Sequence, residues 1–277
     1  LMLRWFRFFS HWPLWALHVL GVAGGWLAWL FSPTYRRRMG ANARQAGLGW
    51  RTLVGAVGQA GRMSAELPRL WLGQTPSVVW ADAQAAADAY ALGQGVLFLT
   101  PHMGCFEITA QALAARFGAQ YGPLTVLYRP ARQAALGEVM ALARNRPGLQ
   151  AVPTNLSGVR QMIKALRAGQ AVGLLPDQVP PEGMGVWAPF FGKPAYTMTL
   201  AARLALQTGA KGVLSWGERL SWGRGYRLHT QALDQALSND LEAAVVQINQ
   251  AMETMILACP QQYLWGYARY KTPRQEA

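Results

Sequence analysis

The stretch GVLFLTPHMGCFE, residues 95–107, decides how this chain folds, because a short apolar run leads directly into a histidine and a glutamate. The run Val96–Leu99 is rich in strand-forming residues and is bounded by glycine and proline, which predicts a buried strand. His102 follows at the end of that strand. An Ala- and Leu-rich helix is expected over residues 107–117, with Gly118 ending it. The stretch is therefore typical of a strand, a turn and a helix.

His102 and Glu107 are five positions apart, so they would diverge on a continuous helix. They can meet if His102 lies in the turn and Glu107 lies in the first helical turn, where the macrodipole favours a carboxylate. Imidazole could then take a proton from a hydroxyl group while the carboxylate fixes the ring tautomer. The chain has no Gly-x-Ser-x-Gly elbow, so the base would act directly on a substrate hydroxyl. The alternative is a capping or core histidine beside a solvated acid.

Further strands and helices alternate along the chain, which indicates an α/β fold. A mainly parallel central sheet flanked by helices follows from this alternation, and ligands gather at the carboxyl ends of its strands. Ser157 and the pair Asn239 and Glu242 are the expected helix caps. The other strands are predicted at 124–128, 149–152, 171–175, 212–216 and 226–229, and the other helices at 133–144, 157–167, 197–207 and 239–258.

The composition points to an anionic partner. Lys and Arg number 26 against 13 acidic residues, giving a net charge of +13, while 52% of the residues are hydrophobic and 12 are Trp. The apolar, Trp-rich composition favours a membrane over nucleic acid, for which no binding motif is found. Two cysteines are too few for a disulfide framework, and four histidines without His-Glu-x-x-His predict neither a metal site nor a cofactor.

The N-terminal part contains Leu14–Phe31, eighteen residues without a formally charged side chain. As a helix it would be ~27 Å long, enough to cross or to embed in a bilayer. A basic cluster at 36–38 follows, which would place the C-terminal side in the cytoplasm if the helix spans. A cleaved signal peptide and a soluble core helix are the rival interpretations. We therefore expect a membrane anchor over 1–40 and a catalytic domain over 41–277.

An ordered series of motifs along almost the whole chain resembles the bacterial lipid A biosynthesis acyltransferases, the lauroyl and myristoyl transferases of the lysophospholipid acyltransferase-like superfamily. The usual box of that family reads His-x-Gly-Asn-Trp-Glu, and here Cys105 and Phe106 replace its Asn and Trp. The motifs that carry the resemblance are TPHMGCFE at 100–107, YRP at 128–130, RNR at 144–146, LPDQ at 175–178, PFFGKPA at 189–195, TGA at 208–210, QYLW at 262–265 and RYK at 269–271.

The resemblance implies a glycerolipid acyltransferase-like fold with an N-terminal hydrophobic anchor helix. It also implies a membrane-bound O-acyltransferase that moves a fatty acyl chain from acyl carrier protein to a hydroxyl of a lipid A precursor, without a cofactor. The enzyme would lie at the bacterial inner membrane with its catalytic domain facing the cytoplasm. Alternatives are transfer to another glycolipid or an aminolipid, hydrolysis of the thioester, and a non-catalytic lipid-binding protein with the same fold.

With the resemblance, residue roles can be assigned as expectations. His102 is the expected base, and Glu107 orients and charges its ring. The remaining candidates would contact substrate: arginines for the oxyanion or a phosphate, Asp177 for an arginine or an acceptor sugar, and two further cations for phosphate. Solvated surface charges and a turn-forming aspartate are the alternatives. The segment 189–194 either shapes a lipid pocket or forms a rigid turn. The substrate-binding candidates are Arg129, Arg144, Arg146, Asp177, Arg219 and Lys271.

Overall fold

The computed structural model describes residues 2–128, 137, 139, 140 and 146–275. Its N-terminal part is helical, and alternating strands and helices follow. In chain order the elements are α1 (Met2–Ser10), α2 (Leu14–Phe31), α3 (Pro33–Gln45), α4 (Trp50–Ala65), α5 (Leu67–Leu72), β1 (Val78–Trp80), α6 (Gln84–Ala91), β2 (Val96–Leu99), α7 (Phe106–Tyr121), β3 (Leu124–Tyr128), β4 (Leu149–Pro153), α8 (Leu156–Arg167), β5 (Ala171–Leu174), β6 (Gly185–Phe190), β7 (Lys193–Met198), α9 (Leu200–Thr208), β8 (Lys211–Arg219), β9 (Tyr226–Ala232) and α10 (Leu241–Ala258).

A seven-stranded sheet formed by the described residues has the order β1-β9-β8-β2-β5-β3-β4. Strand β9 runs antiparallel to β8, and the other described pairs in this sheet are parallel. Strand β2 lies between β8 and β5, with Leu99 opposite both Leu214 and Leu174. The mainly parallel sheet flanked by helices is confirmed. The residues that follow β2 and β5 consequently lie beside each other at one edge.

Strand β2 is buried on both faces, as expected for a central strand of a parallel sheet. Leu97 and Leu99 belong to the larger apolar core, and Val96 and Phe98 belong to the core on the opposite face. All four side chains are at most 2% exposed. The apolar run Val96–Leu99 therefore contributes side chains to both cores.

The six predicted strands are all present, and three further strands were missed. Strand β1 is only three residues long, and β6 and β7 form a separate antiparallel hairpin. Its turn places Phe191 at φ 48° and Gly192 at φ 71°, consecutive positive values that match the twist of a tight hairpin. The segment 189–194 is therefore a structural turn, and its role in a lipid pocket stays a prediction.

Several predicted helix boundaries are wrong for local reasons. Helix α7 continues through Gly118 and ends before Gly122, whose φ is 86°. Asn155 caps α8, and Asp240 caps α10, because each accepts a hydrogen bond from a backbone N–H three residues ahead. Helix α9 begins at Leu200, since the preceding residues pair within β7. The helix predicted at 133–144 lies, except for 137, 139 and 140, outside the described residues.

Helix α2 has the predicted bounds, and it is long and apolar enough to cross a membrane. It packs on α4 at backbone distance through glycines. A Cβ atom on Gly61 would lie 1.8 Å from the carbonyl oxygen of Gly21, and one on Gly25 would lie 2.4 Å from that of Val57. The division into an anchor and a catalytic domain stays a prediction, since the two parts are packed together here.

Candidate active site

The segment 100–105, hereafter the histidine loop, joins β2 to α7. Gly104 has a φ of 56°, and a Cβ atom there would lie 2.0 Å from the carbonyl oxygen of Gly217. Only glycine fits this close approach and this left-handed conformation. The loop therefore has one backbone path, set by the strand β8 below it.

A C-terminal segment pairs with the histidine loop through its backbone. The N–H of Gly104 donates to the carbonyl oxygen of Gln262 at 2.9 Å, and the N–H of Leu264 donates to that of His102 at 3.0 Å. Between these bonds Met103 and Tyr263 form an antiparallel bridge. The position of His102 is thus fixed by residues about 160 positions away in the chain.

His102 is bound through two groups by the carboxylate of Asp177. Nδ1 of the ring lies 2.7 Å from Oδ1, and the backbone N–H of His102 donates to Oδ2 at 2.9 Å. Because the carboxylate accepts, Nδ1 carries the proton and the lone pair remains on Nε2. The histidine side chain is 18% exposed, whereas that of Asp177 is 2% exposed. This geometry prepares Nε2 to act as a base.

The surroundings of Asp177 keep it ionised. Burial alone would raise the pKa of Asp177, but the charge and hydrogen bonds of His102 outweigh burial and hold the pKa below its usual value. Arg269 contributes a further positive charge. Its buried guanidinium donates to the carbonyl oxygen of Tyr196 at 2.7 Å and to Oγ1 of Thr197 at 2.6 Å. The aspartate can therefore stabilise an imidazolium ring.

Glu107 occupies the first turn of α7, as predicted. Its negative charge acts on Arg146, whose pKa is lowered by burial and raised in part by Glu107. Arg146 also donates to the carbonyl oxygen of Leu70 and to Oγ1 of Thr75, the latter at 3.1 Å. The ring nitrogen Nδ1 of His102 is bound by Asp177, a role that the sequence analysis gave to Glu107. The catalytic role of Glu107 stays a prediction.

Arg219 lies beneath the histidine loop. Its guanidinium pairs with both carboxylate oxygens of Glu66 at 2.6 and 2.7 Å and donates to the carbonyl oxygen of Gly104 at 2.8 Å. The whole residue is 3% exposed. Burial alone would lower the pKa of Arg219, but the charge of Glu66 outweighs burial and raises it. The contact of Arg219 with phosphate stays a prediction. Its burial argues against that contact, because protein groups enclose the guanidinium.

The other predicted cations lie in different places. Lys271 is half-buried, with Nζ 5.1 Å from the ring centre of Tyr267. The hydroxyl of Tyr267 accepts a hydrogen bond from the N–H of Val179, two residues after Asp177. Lys271 is thus connected through Tyr267 to residues 175–179, the segment after β5 that carries Asp177 and is hereafter called the aspartate loop. Arg129 and Arg144 lie outside the described residues.

Cys105 and Phe106, which replace the Asn and Trp of the usual motif, contact different groups. Cys105 is 2% exposed and shares an apolar cluster with Leu14, Ile108 and Tyr226. Burial, assisted by the charge of Glu66, raises the pKa of Cys105 well above its usual value, so the thiol is a poor nucleophile near neutral pH. The ring of Phe106 meets that of His102 edge-on at 5.3 Å between centres. Cys105 therefore serves packing, and Phe106 forms a wall beside the histidine.

The sequence predicts Asp177 as a substrate contact but does not predict its hydrogen bond to His102. The available signal was that both residues follow strand ends. The adjacency of β2 and β5, which places those ends together, is a tertiary feature. Among the residues that the structure describes, no group of three or more His, Cys, Asp or Glu side chains could hold a metal ion.

A histidine bound to a buried carboxylate, at the carboxyl end of a central strand, is suited to take a proton from a hydroxyl group. The class of protein that this fold and site fit is an enzyme that activates a hydroxyl group or water. Residues 71–272 match the profile of the bacterial lipid A biosynthesis acyltransferases. The chain belongs to this family.

Curated relatives agree with the family match. The chain is 28% identical over 187 residues to the lipid A biosynthesis lauroyltransferase of Escherichia coli, covering 67% of the chain and 59% of that protein. It is 26% identical over 197 residues to the palmitoleoyltransferase of the same organism, covering 70% of the chain and 62% of that protein. The match to a lipid A biosynthesis acyltransferase of Haemophilus influenzae is 24% over 179 residues, 64% of the chain and 54% of that protein. The alignments thus span about three fifths of these relatives.

Proposed function

We propose that this protein transfers a fatty acyl chain from acyl carrier protein to a hydroxyl group of a lipid A precursor. The observation that carries the proposal is the 2.7 Å contact between Nδ1 of His102 and the buried carboxylate of Asp177, with the ring partly exposed at the end of β2. Family membership selects acyl transfer among the reactions that such a base can promote. The names of the relatives supply lipid A as the acceptor class.

In the proposed reaction, Nε2 of His102 takes the proton of the acceptor hydroxyl as its oxygen attacks the thioester carbonyl. The new carbon–oxygen bond gives a tetrahedral oxyanion. This intermediate expels the thiolate of the carrier by breaking the carbon–sulfur bond, and the imidazolium returns its proton to that thiolate. Asp177 stabilises the imidazolium during this cycle, because its carboxylate stays ionised beside the ring.

Charged neighbours have supporting roles in the proposal. Glu107 lies in the first turn after the histidine loop and interacts with the charge of Arg146. We propose that these two opposite charges together set the electrostatic potential at His102. Arg129 and Arg144 remain the proposed ligands for the oxyanion or for acceptor phosphate, because guanidinium binds such groups through two donors. Lys271 is proposed to contact phosphate from the aspartate loop.

The proposed setting is the cytoplasmic face of a bacterial inner membrane. The net charge of +13 would attract both the anionic lipid surface and the anionic acceptor. The apolar helix α2 supplies the hydrophobic contact that holds the enzyme at this surface. Acyl carrier protein would deliver its thioester from the aqueous side.

The test is transfer by the purified full chain, given acyl carrier protein loaded with a fatty acid and a detergent-dispersed lipid A precursor. Mass spectrometry should detect an acceptor heavier by one acyl chain, and His102→Ala should lower its rate about 10²- to 10⁴-fold. His229→Ala is the matched control, because His229 is also a partly exposed ring paired with a carboxylate, that of Glu218, but it lies in β9 and not in the histidine loop.

Three outcomes would contradict the proposal. Equal thioester loss with and without acceptor would indicate a hydrolase. Transfer to another glycolipid or an aminolipid, but not to the lipid A precursor, would change the acceptor. Binding of lipid without turnover would indicate a non-catalytic protein.

A further inference from the structure

Helix α2 is bound to the rest of the protein along its whole length. At its start Leu14 packs into the apolar cluster that contains Cys105 and Tyr226. In its second turn Nε2 of His18 lies 3.1 Å from Oε2 of Glu66, and both side chains are buried. Near its end Trp29 packs against the main core. Both ends of α2 therefore contact the same globular body.

This attachment conflicts with a helix that crosses a bilayer. A spanning helix places its two ends on opposite sides of ~30 Å of hydrocarbon. Everything packed along α2 would then lie at the same depth, including Arg62 and the ion pair between Glu66 and Arg219. Burying such groups in a bilayer is costly. A helix that lies in the plane of the membrane surface avoids this cost.

The two sides of α2 have different surroundings. The side that meets the protein carries the buried residues Leu14, Leu17, His18, Gly21 and Gly25. The opposite side is exposed and apolar, and it repeats at steps of three or four residues. This exposed side consists of Trp15, Val19, Ala23, Leu27 and Leu30. The helix is thus apolar on all sides. One side packs against the protein, and the other is suited to contact a second apolar medium such as a lipid bilayer.

The exposed apolar surface extends beyond α2. Trp222 follows β8 at 88% exposure, and it has an unusual positive φ of 58°. The next residue, Gly223, approaches the backbone of Trp15 so closely that a Cβ atom would lie 2.4 Å from its nitrogen. Large apolar side chains are also exposed on α1 and α4. We use the name lipid face for the exposed apolar side chains of these helices, of α2 and of the segment after β8: Trp5, Phe8, Trp15, Val19, Leu27, Leu30, Trp50, Val54 and Trp222.

Arginines lie on two of the helices that carry the lipid face, α1 and α4, and on α3, which directly follows α2. Arg36 donates to the carbonyl oxygens of Trp29 and Leu30 at 3.3 and 3.1 Å, and its guanidinium lies 5.3 Å from the ring centre of Trp29. The guanidinium of Arg51 lies 5.9 Å from the ring centre of Trp50. Arg4, Arg7, Arg37 and Arg38 are exposed on α1 and α3. Cations beside a half-buried tryptophan, Trp29, and an exposed one, Trp50, fit the headgroup region of an anionic bilayer.

We propose that α2 does not cross the membrane but lies in its surface plane, with the lipid face inserted into one anionic leaflet. The inference rests on the membrane association within the proposed function and replaces a spanning anchor by an in-plane one. Insertion would bring the histidine loop to the bilayer surface, because Leu14 and Cys105 share one apolar cluster. A lipid acceptor could then reach His102 without leaving its leaflet completely.

Thiol accessibility on the two sides of α2 tests this topology. Arg4→Cys and Arg38→Cys place exposed thiols before and after the helix, and the native chain is the background control because Cys105 and Cys259 are buried. A membrane-impermeant maleimide should label neither variant in sealed bacterial spheroplasts and both after lysis. Labelling of either variant in sealed spheroplasts, or recovery of the chain outside the membrane fraction, would overturn the proposal.

Vesicle binding tests the lipid face itself. The double variant Trp15→Glu with Trp222→Glu should bind phosphatidylethanolamine vesicles containing phosphatidylglycerol at least about tenfold more weakly than the native chain. Leu92→Glu is the matched control, because Leu92 is similarly exposed but lies at the end of α6, outside the lipid face. Equal binding by all three proteins would overturn the proposal. Acyl transfer to detergent-dispersed acceptor should persist in the double variant, so this failure is distinct from a failure of the proposed reaction.

Discussion

Asp177 and Glu66 are two buried carboxylates that hold the same loop, and they differ in the side chain that each one binds. Asp177 binds the ring and the backbone N–H of His102, whose side chain is 18% exposed. Glu66 binds the guanidinium of Arg219, which is enclosed and reaches the carbonyl oxygen of Gly104. The pair of Asp177 with the partly exposed ring of His102 can therefore exchange a proton with a substrate. The pair of Glu66 with the enclosed guanidinium of Arg219 only supports the loop.

The two pairs also differ in what their loss would leave behind. Arg219 remains charged at any ordinary pH, so an unpaired Arg219 would be a buried charge with an energetic penalty. The ring of His102 is partly exposed, so the loss of Asp177 leaves a folded protein in which the ring has lost the acceptor that sets its tautomer. The pair of Glu66 and Arg219 should therefore govern mainly stability, and the pair of Asp177 and His102 mainly the rate.

The largest expected effect is that of Asp177→Asn on the rate. In the variant, the amide oxygen must face the backbone N–H of His102, so the amide NH₂ faces Nδ1. The ring would then carry its proton on Nε2 and could not act as a base. We expect acyl transfer to fall about 10³- to 10⁴-fold, as when the tautomer is reversed in a serine protease triad. A rate within tenfold of the native rate, with unchanged thermal unfolding, would contradict this role.

Glu66→Gln should act on stability instead. The substitution leaves the buried guanidinium of Arg219 without its counter-charge, which costs about 3 to 5 kcal/mol. The control is Glu218→Gln, since Glu218 forms partly exposed pairs that contribute at most about 1 kcal/mol. Urea unfolding of both variants measures the contrast. Similar losses of unfolding free energy in the two variants would remove the distinction.

Acid should weaken the same supporting pair. Burial alone would raise the pKa of Glu66, but Arg219 outweighs it and lowers the pKa from 4.5 to about 2. Because the folded pKa is depressed, the stabilisation is complete above pH 4.5 and is lost as the pH falls toward 2, by about 3 kcal/mol. His18 and Tyr226 also face this carboxylate. Unfolding free energies measured across this range should be less pH-dependent in Glu66→Gln, and an equal slope would exclude Glu66 as the source.

The smallest expected effect concerns Cys105, where the family usually has Asn. Cys105→Asn would place a larger, polar side chain in a fully buried position between the apolar cluster and Glu66, at a cost of about 1 to 3 kcal/mol in unfolding free energy. Cys105→Ala is the control, because it removes the thiol without adding a polar group. Thermal and urea unfolding should rank native, Ala and then Asn in decreasing stability. An Asn variant as stable as the native chain would mean that the family residue finds a partner here.

The sequence predicts much of the fold because its strongest signals are local. The apolar run Val96–Leu99 and the uncharged run Leu14–Phe31 have the predicted bounds, since length and composition identify both. The hairpin of β6 and β7 was missed because Pro189 and Pro194 are opposite each other in it, and proline ordinarily argues against a strand.

The site was harder to predict because its contacts are distant in sequence. His102 could be recognised from its place after a strand, but its bond to Asp177 depends on β5 lying beside β2. Glu66 and Arg219 are 153 positions apart, and each one alone resembles a surface charge. Gln262 was noted only as the first residue of the QYLW motif, and its contact with the backbone N–H of Arg219 could not be read from that motif.

The backbone pairing of the histidine loop with Gln262 and Leu264 has a consequence for the time course of protein synthesis. The ribosome makes the loop long before it makes its partners, so His102 cannot reach its final position until this late segment has emerged. A nascent chain would hold β2 and β5 early but would lack the bond from Leu264 to the loop. The growing polypeptide should therefore stay inert toward the thioester through most of translation.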